Sequence, residues 1–384
     1  MRYNAGMETT KTTKRGLFSL CPAAHLLALL GAAVIGLFLA LRHDHALMRS
    51  LSETWVQPLH HRLARLTAAL PFSLAECLYA LAIGGTLVYI ICEIVQLVRK
   101  GERLRRLYRM LVRLAALGLT VYALFCLMWG VYYYGDDFIE KSGLVMEDIS
   151  AEELELVTVY FAAKLNEYAP QVARDAEGCC RTERAAVLAR SPEIFRAAAR
   201  RFPCLDGPEV PAKAMFFSKI MSIIDFTGFF CPFTAEANVN ADFPPALFAA
   251  TVAHELSHQR GVAKEQEANF VAVLASLESG DADYCYSACL LAYIHLGNAL
   301  YSVNPAAVRL IGQGLREEVR LDLAENNAYW ARFESPVQTV TNTVYEGFLQ
   351  RYEQTLGMRS YGACVDLLVK FYVPDAAAYF EPAA

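Results

Sequence analysis

Residues 254–270 read HELSHQRGVAKEQEANF, which places two of the chain's eight histidines and three glutamates within one short segment. On a helix, His254 and His258 project from the same face one turn apart, as two ligands of one tetrahedral zinc ion must. Glu255 falls at the edge of that face. A carboxylate there reaches a metal-bound water without ligating the metal, and can take its proton and later pass it to a leaving amine. Pro245 suits a first helical position and Gly261 a stop, so the intervening residues are expected to form a single helix. Its flanks, ALFAATVA and ANFVAVLA, are too apolar for a solvated face. Histidines and carboxylates in such a setting need a compensating partner, for which a divalent cation is the economical choice.

A catalytic zinc takes three protein ligands and keeps one position open. Two glutamates compete for the third place, at the start of a second expected helix after Gly261. Glu265 shares a face with Ala268, Asn269, Ala272 and Ser276, small or polar residues that allow close packing on the first helix. Glu267 shares its face with Phe270, Val271, Leu274 and Glu278. Glu265 is therefore preferred, with Glu267 left open. Asn269, one turn on, is placed to hydrogen-bond a ligand imidazole and fix its tautomer.

Outward from this stretch, the chain of 384 residues is 55% apolar and only 20% charged, high for a water-soluble domain. Three apolar runs, about residues 20–41, 77–98 and 114–134, are each long enough to span hydrocarbon as a helix. Residues 1–134 carry 15 Lys and Arg against 6 Asp and Glu, which leaves 20 against 34 for the rest. The densest basic cluster, RKGERLRRLYRMLVR from Arg99 to Arg113, lies between the second and third runs. The positive-inside rule puts it and the N-terminus in the cytoplasm, and everything after about residue 136 outside the cell. Anionic headgroups are the expected partner of the basic cluster. The acidic remainder disfavours nucleic acid.

Residues 136–384 show no linker or repeat and are expected to form one mostly helical domain. Ser150 and Glu153 form a capping box ahead of an amphipathic helix. The segment 288–303 lacks Asp, Glu, Lys and Arg, but His295 and Asn298 favour a buried core helix over a fourth span. Strand signals are confined to 215–233 and 236–243. Seven cysteines fall in this domain, an odd number whose spacing reveals no pairing, and no Cys-x-x-Cys is present.

HELSHQRG followed by EQEANF resembles the gluzincin group of zinc metallopeptidases. That resemblance implies zinc ligands His254, His258 and Glu265, a general base Glu255, and support from Asn269. GFFCPFTAEANVN, HELSHQRG, EANF and SYGACVDLL together are similar to an uncharacterised family of bacterial membrane proteins defined only as a domain of unknown function. Only six residues separate His258 from Glu265, fewer than in most gluzincins. Metzincin spacing fails too, because it would place a ligand where this chain has Lys264. In zincins an edge strand ahead of the metal helix holds extended substrate, and EANVN occupies that place, so Asn238 and Asn240 are expected either to bind substrate carbonyls or to serve as turn residues before Pro244. Tyr361 is the expected donor to an oxyanion.

The expectation is a mainly α membrane protein. It has an anchor in residues 1–135 and an extracytoplasmic zincin-like α+β domain in residues 136–384, holding one zinc and hydrolysing peptides or proteins near a multi-pass plasma-membrane anchor. Two rivals stand beside it: a non-catalytic, metal-stabilised envelope assembly protein, and a hydrolase of cell-wall peptide amides.

Overall fold

The computed structural model describes residues 17–99, 101–145, 148–334, 336–351 and 361–381. The chain is mostly helical, and its packing divides it into two units: Met1–Leu41 with Ala80–Leu127, and Arg42–Tyr79 with Met128–Ala384. Thus Arg42–Tyr79, counted above as part of a membrane anchor, packs with the larger unit.

The first unit is built from α1 (Pro22–Leu41) and most of α4 (Leu74–Arg99) and α5 (Arg103–Met128). Among the described residues these are the three helices long and apolar enough to cross a membrane. α5 begins inside the basic cluster and ends at Met128, so the run placed at 114–134 is shifted toward the N-terminus. Gly31 allows close approach of α1 to α5, since a Cβ there would lie 3.0 Å from the Leu119 backbone. His25 Nε2 and the Tyr108 hydroxyl pair at 2.8 Å between the same two helices.

The second unit opens with α2 (His45–Leu51) and α3 (Gln57–Thr67), between α1 and α4 in the chain. It continues through α6 (Phe138–Ser142), α7 (Ala151–Tyr168), α8 (Arg184–Arg190) and α9 (Arg196–Arg201). Three short strands follow, β1 (Lys213–Ala214), β2 (Gly228–Cys231) and β3 (Glu236–Val239), with α10 (Ser218–Ile223) between the first two. The rest is helical: α11 (Phe248–Gln259), α12 (Glu265–Ser279), α13 (Ala282–Val303), α14 (Pro305–Gln313), α15 (Glu317–Trp330), α16 (Pro336–Arg351) and α17 (Tyr361–Phe380).

The expected capping box is present: Ser150 Oγ accepts from Glu153 N at 3.1 Å and Glu153 Oε2 from Ser150 N at 2.7 Å. The core lies where α13 packs on α7, α11, α12 and α17, with Phe161, Leu165, Leu256, Phe270 and Leu296 fully enclosed. That packing makes α13 a core helix, as its polar residues suggest. Among the described residues all eleven cysteines are free.

The sheet has the order β1-β3-β2, with β1 parallel and β2 antiparallel to β3. β3 is therefore the central strand and not an edge. Part of the stretch read as strand, 218–223, is instead the short helix α10.

A buried ion pair joins the sheet to the start of α4. Lys213 Nζ lies 2.6 Å from Glu236 Oε1 and donates to the Thr67 and Phe72 carbonyls at 2.7 and 2.9 Å. The Glu236 carboxylate in turn accepts the N–H groups of Leu74 and Ala75 at 3.0 and 2.7 Å. A negative charge thereby sits on the otherwise unsatisfied donors at the positive end of the helix dipole. Removing one member of a buried pair leaves the other uncompensated, so Glu236→Ala is predicted to cost about 3–5 kcal/mol. Chemical denaturation in detergent measures this, and a loss no greater than that of a surface Glu→Ala variant would contradict the clasp.

Candidate metal centre

α11 ends at Gln259, and the chain turns at Gly261, whose φ of 84° is readily open only to glycine. Tyr132 packs so closely there that a Cβ would lie 2.8 Å from its ring. The tight turn sends the chain straight into α12, and the first residue of that helix, Glu265, returns to the histidines. Glu265 Oε2 lies 3.2 Å from His254 Nε2, and its Oε1 3.6 Å from His258 Nε2. The two imidazoles are perpendicular, their centroids 4.7 Å apart.

Each histidine uses its other nitrogen to fix its orientation. His254 Nδ1 donates to Asn269 Oδ1 at 2.9 Å, and His258 Nδ1 to the Val262 carbonyl at 2.7 Å. Both Nε2 atoms are thereby turned toward Glu265. Ligands at 2.0–2.1 Å from a tetrahedral ion stand roughly 3.3 Å from one another, close to the separations from the carboxylate to the two nitrogens. A two-imidazole, one-carboxylate donor set also suits zinc better than magnesium or calcium. The residues present fit the ion.

Burial opposes charge on His258 and Glu265, but their attraction prevails. It pushes the His258 imidazole up to about 9 and holds the Glu265 carboxyl well below the usual carboxylate range. Glu255 behaves differently. It is only 3% exposed, and its Oε2 finds no hydrogen-bond donor among the described residues. Burial pushes its carboxyl up to about 7, which His254 and His258 oppose and Glu265 reinforces. β2 crosses directly over this carboxylate: a Cβ on Gly228 would overlap it, lying 2.7 Å from Glu255 Cγ.

Glu267 points elsewhere. It accepts the Phe138 N–H at 2.9 Å and lies 4.0 Å from Lys264, which is itself bonded to Asp137. Burial, with Asp137 adding to it, pushes its carboxyl up to about 8. Lys264 and Glu267 thus tether α12 to the start of α6, while Glu265 faces the histidines.

The structure does not bring Asn238 and Asn240 to this centre as substrate contacts. Both are fully buried, Asn238 accepting from Ser73 Oγ at 2.6 Å and Asn240 donating to Ser222 Oγ at 2.9 Å. Paired on both sides, β3 has no free backbone edge for a peptide. β2 has no strand partner on its outer side among the described residues. Tyr361 opens α17, and its side chain lies outside the described residues.

Other groups reach the centre without an advance signal. The Tyr345 hydroxyl of α16 donates to Glu265 Oε1 at 2.8 Å. The Trp129 ring stands edge-on to His258 at 5.9 Å and donates from Nε1 to the Tyr133 hydroxyl at 3.0 Å. Burial and the Glu265 charge both push the Tyr133 phenol up. α13 brings His295 into the field of His254, and burial lowers its imidazole to about 4. Trp129 and Tyr133 sit in WGVYYYG, an aromatic run that hydropathy merges with the preceding span.

A family model described as a protein of unknown function, DUF3810, matches residues 52–369. The chain belongs to the DUF3810 family. The match takes in every residue of the centre, the whole sheet and two of the three membrane-length helices. No curated protein and no solved structure matches the chain.

Elemental analysis of the purified protein is predicted to give about one zinc per chain, consistent with a single three-ligand site. Zinc should be lost in His258→Ala and Glu265→Ala but kept in Glu267→Ala. Asn269→Ala should retain the site with about 10–100-fold weaker affinity, read by competition with a chelating dye. Zinc that follows Glu267 instead of Glu265 would reassign the third ligand.

Proposed function

We propose that this protein is a membrane-anchored, zinc-dependent hydrolase of peptide bonds with a zincin-like domain. The observation that carries the reading is Glu255. A buried carboxylate with an unpartnered oxygen, beside two histidines and a third carboxylate, is costly to fold. A metal held only for structure gives no reason to keep it.

His254, His258 and Glu265 would hold the zinc, which when bound supplies a Lewis acid for a carbonyl and lowers the pKa of water. The chain's own residues supply the rest. Glu255, its proton affinity raised by burial, accepts a proton from the attacking water and returns it to the departing amine. Asn269 and the Val262 carbonyl keep both Nε2 atoms presented, and Tyr345 steadies the Glu265 carboxylate. The outer edge of β2 offers backbone N–H and C=O groups to an extended peptide, directly above Glu255.

The basic cluster between α4 and α5 orients the anchor with its connecting turn in the cytoplasm. This assigns the larger unit to the extracytoplasmic side of the plasma membrane. Substrates are then peptides or proteins at that face, including peptide amides of the cell wall.

Two variants test the chemistry against a peptide library. Glu255→Gln is expected to keep its zinc and lose hydrolysis by about 10²–10⁴-fold, the usual contribution of a general base. Gly228→Ala, which drives a methyl group into the Glu255 carboxylate, should also lose activity with zinc retained. Chelation should abolish wild-type cleavage and added zinc restore it. Full activity in Glu255→Gln would favour the non-catalytic assembly role.

A further inference from the structure

α10 is built inside out. Its serines are buried: Ser218 Oγ donates to the Met215 carbonyl at 2.6 Å and Ser222 Oγ pairs with the Tyr329 hydroxyl at 2.7 Å. Apart from the buried Met221, the large apolar residues of α10 and of the two positions before it face outward, with Phe216 86% exposed, Phe217 44%, Ile220 54% and Ile223 43%. In water an amphipathic helix turns the other way, and a contiguous exposed patch of this kind marks a surface that is covered in use.

The occupant is indicated by what holds the patch. Glu76, in the first turn of α4, accepts the N–H groups of Phe216 and Phe217 at 3.0 and 2.6 Å. Glu76 stands at the third position after Ser73, whose Oγ accepts the Glu76 N–H at 3.0 Å. This is the start of a capping box, but here the glutamate reaches a neighbouring loop instead of its own cap. The patch is therefore fastened to the end of a membrane-length helix, not to a remote face of the unit. Phe72, 50% exposed, lies two residues before that helix, and exposed Lys219 lies among the apolar residues of α10. Aromatic rings with a snorkelling lysine at a helix entry suit a bilayer interface.

We propose that Phe216, Phe217, Ile220 and Ile223 insert into the lipid leaflet next to the start of α4, so that α10 is a membrane-surface contact and not a protein-docking face. Only five positions separate Ile223 from Gly228, which crosses the Glu255 carboxylate. At about 3.3–3.6 Å per residue, that keeps the Gly228 backbone, which lies over Glu255, within roughly 18 Å of the Ile223 backbone. Resting on the hydrolase reading above, this makes the substrate class the membrane-proximal segment of a membrane-attached protein or peptide.

The test uses the full-length chain in native membranes, with benzoyl-phenylalanine in place of Phe216 and, as a control, in place of the exposed Glu193. Irradiation is expected to give severalfold more phospholipid adduct, by mass spectrometry of the purified protein, from position 216 than from 193. Equal lipid adducts at the two positions, crosslinking to a second copy, or crosslinking to another protein in place of lipid would each overturn the proposal. The lipid adduct does not depend on hydrolysis, so it separates this inference from the fate of the catalytic reading. Where insertion holds and the hydrolase reading fails, α10 remains a membrane contact without the substrate consequence.

Discussion

The turn at Gly261 is the constraint on which the rest of the larger unit depends. It closes α11 with the Gly261 N–H donating to the His258 carbonyl at 2.9 Å and the Val262 N–H to the Ser257 carbonyl at 3.2 Å. The Val262 carbonyl then orients the His258 ring. One backbone reversal thus stops the helix, orients the His258 imidazole and delivers Glu265 to both imidazoles. With Tyr132 packed where a side chain on residue 261 would lie, any other residue would meet both backbone strain and a clash.

Around this turn the fold divides its glutamates by what each can reach. Glu265 is paired with the histidines, Glu267 with the α6 backbone, Glu236 with the first N–H groups of α4, and Glu76 with the loop before α10. Glu255 and Glu267 each keep one oxygen without a donor among the described residues, but of the two only Glu255 adjoins the histidines. In a protein interior such a group is expensive, and a carboxylate with one free oxygen is the form a proton acceptor takes.

The sheet is small, but it connects the candidate centre to the start of α4. β2 lies over Glu255, β3 carries Glu236, and β1 carries Lys213, so three short strands link the candidate centre to the start of α4. Asn238 joins the same connection through Ser73. Its amide is spent on fold rather than ligand, and the strand just before α11 in sequence is paired on both sides.

Local patterns determined much of this protein from sequence alone. The i, i+4 histidine spacing, the glycine stop, the small residues beside Glu265 and the Ser150 capping box act within one or two turns of helix. The apolar runs are likewise legible because hydrocarbon thickness sets a length that composition must meet. Tertiary structure decided what depends on distant partners. Strand order follows pairing across the chain, and so made β3 central. Hydropathy cannot distinguish lipid from a protein interior, so it extended the third span through Trp129, which packs beside His258 instead, and Tyr133, which is bonded to Trp129. Tyr345, His295 and Gly228 come from three separate elements, and no spacing rule links them to the HELSHQRG helix. Only packing brings them to it.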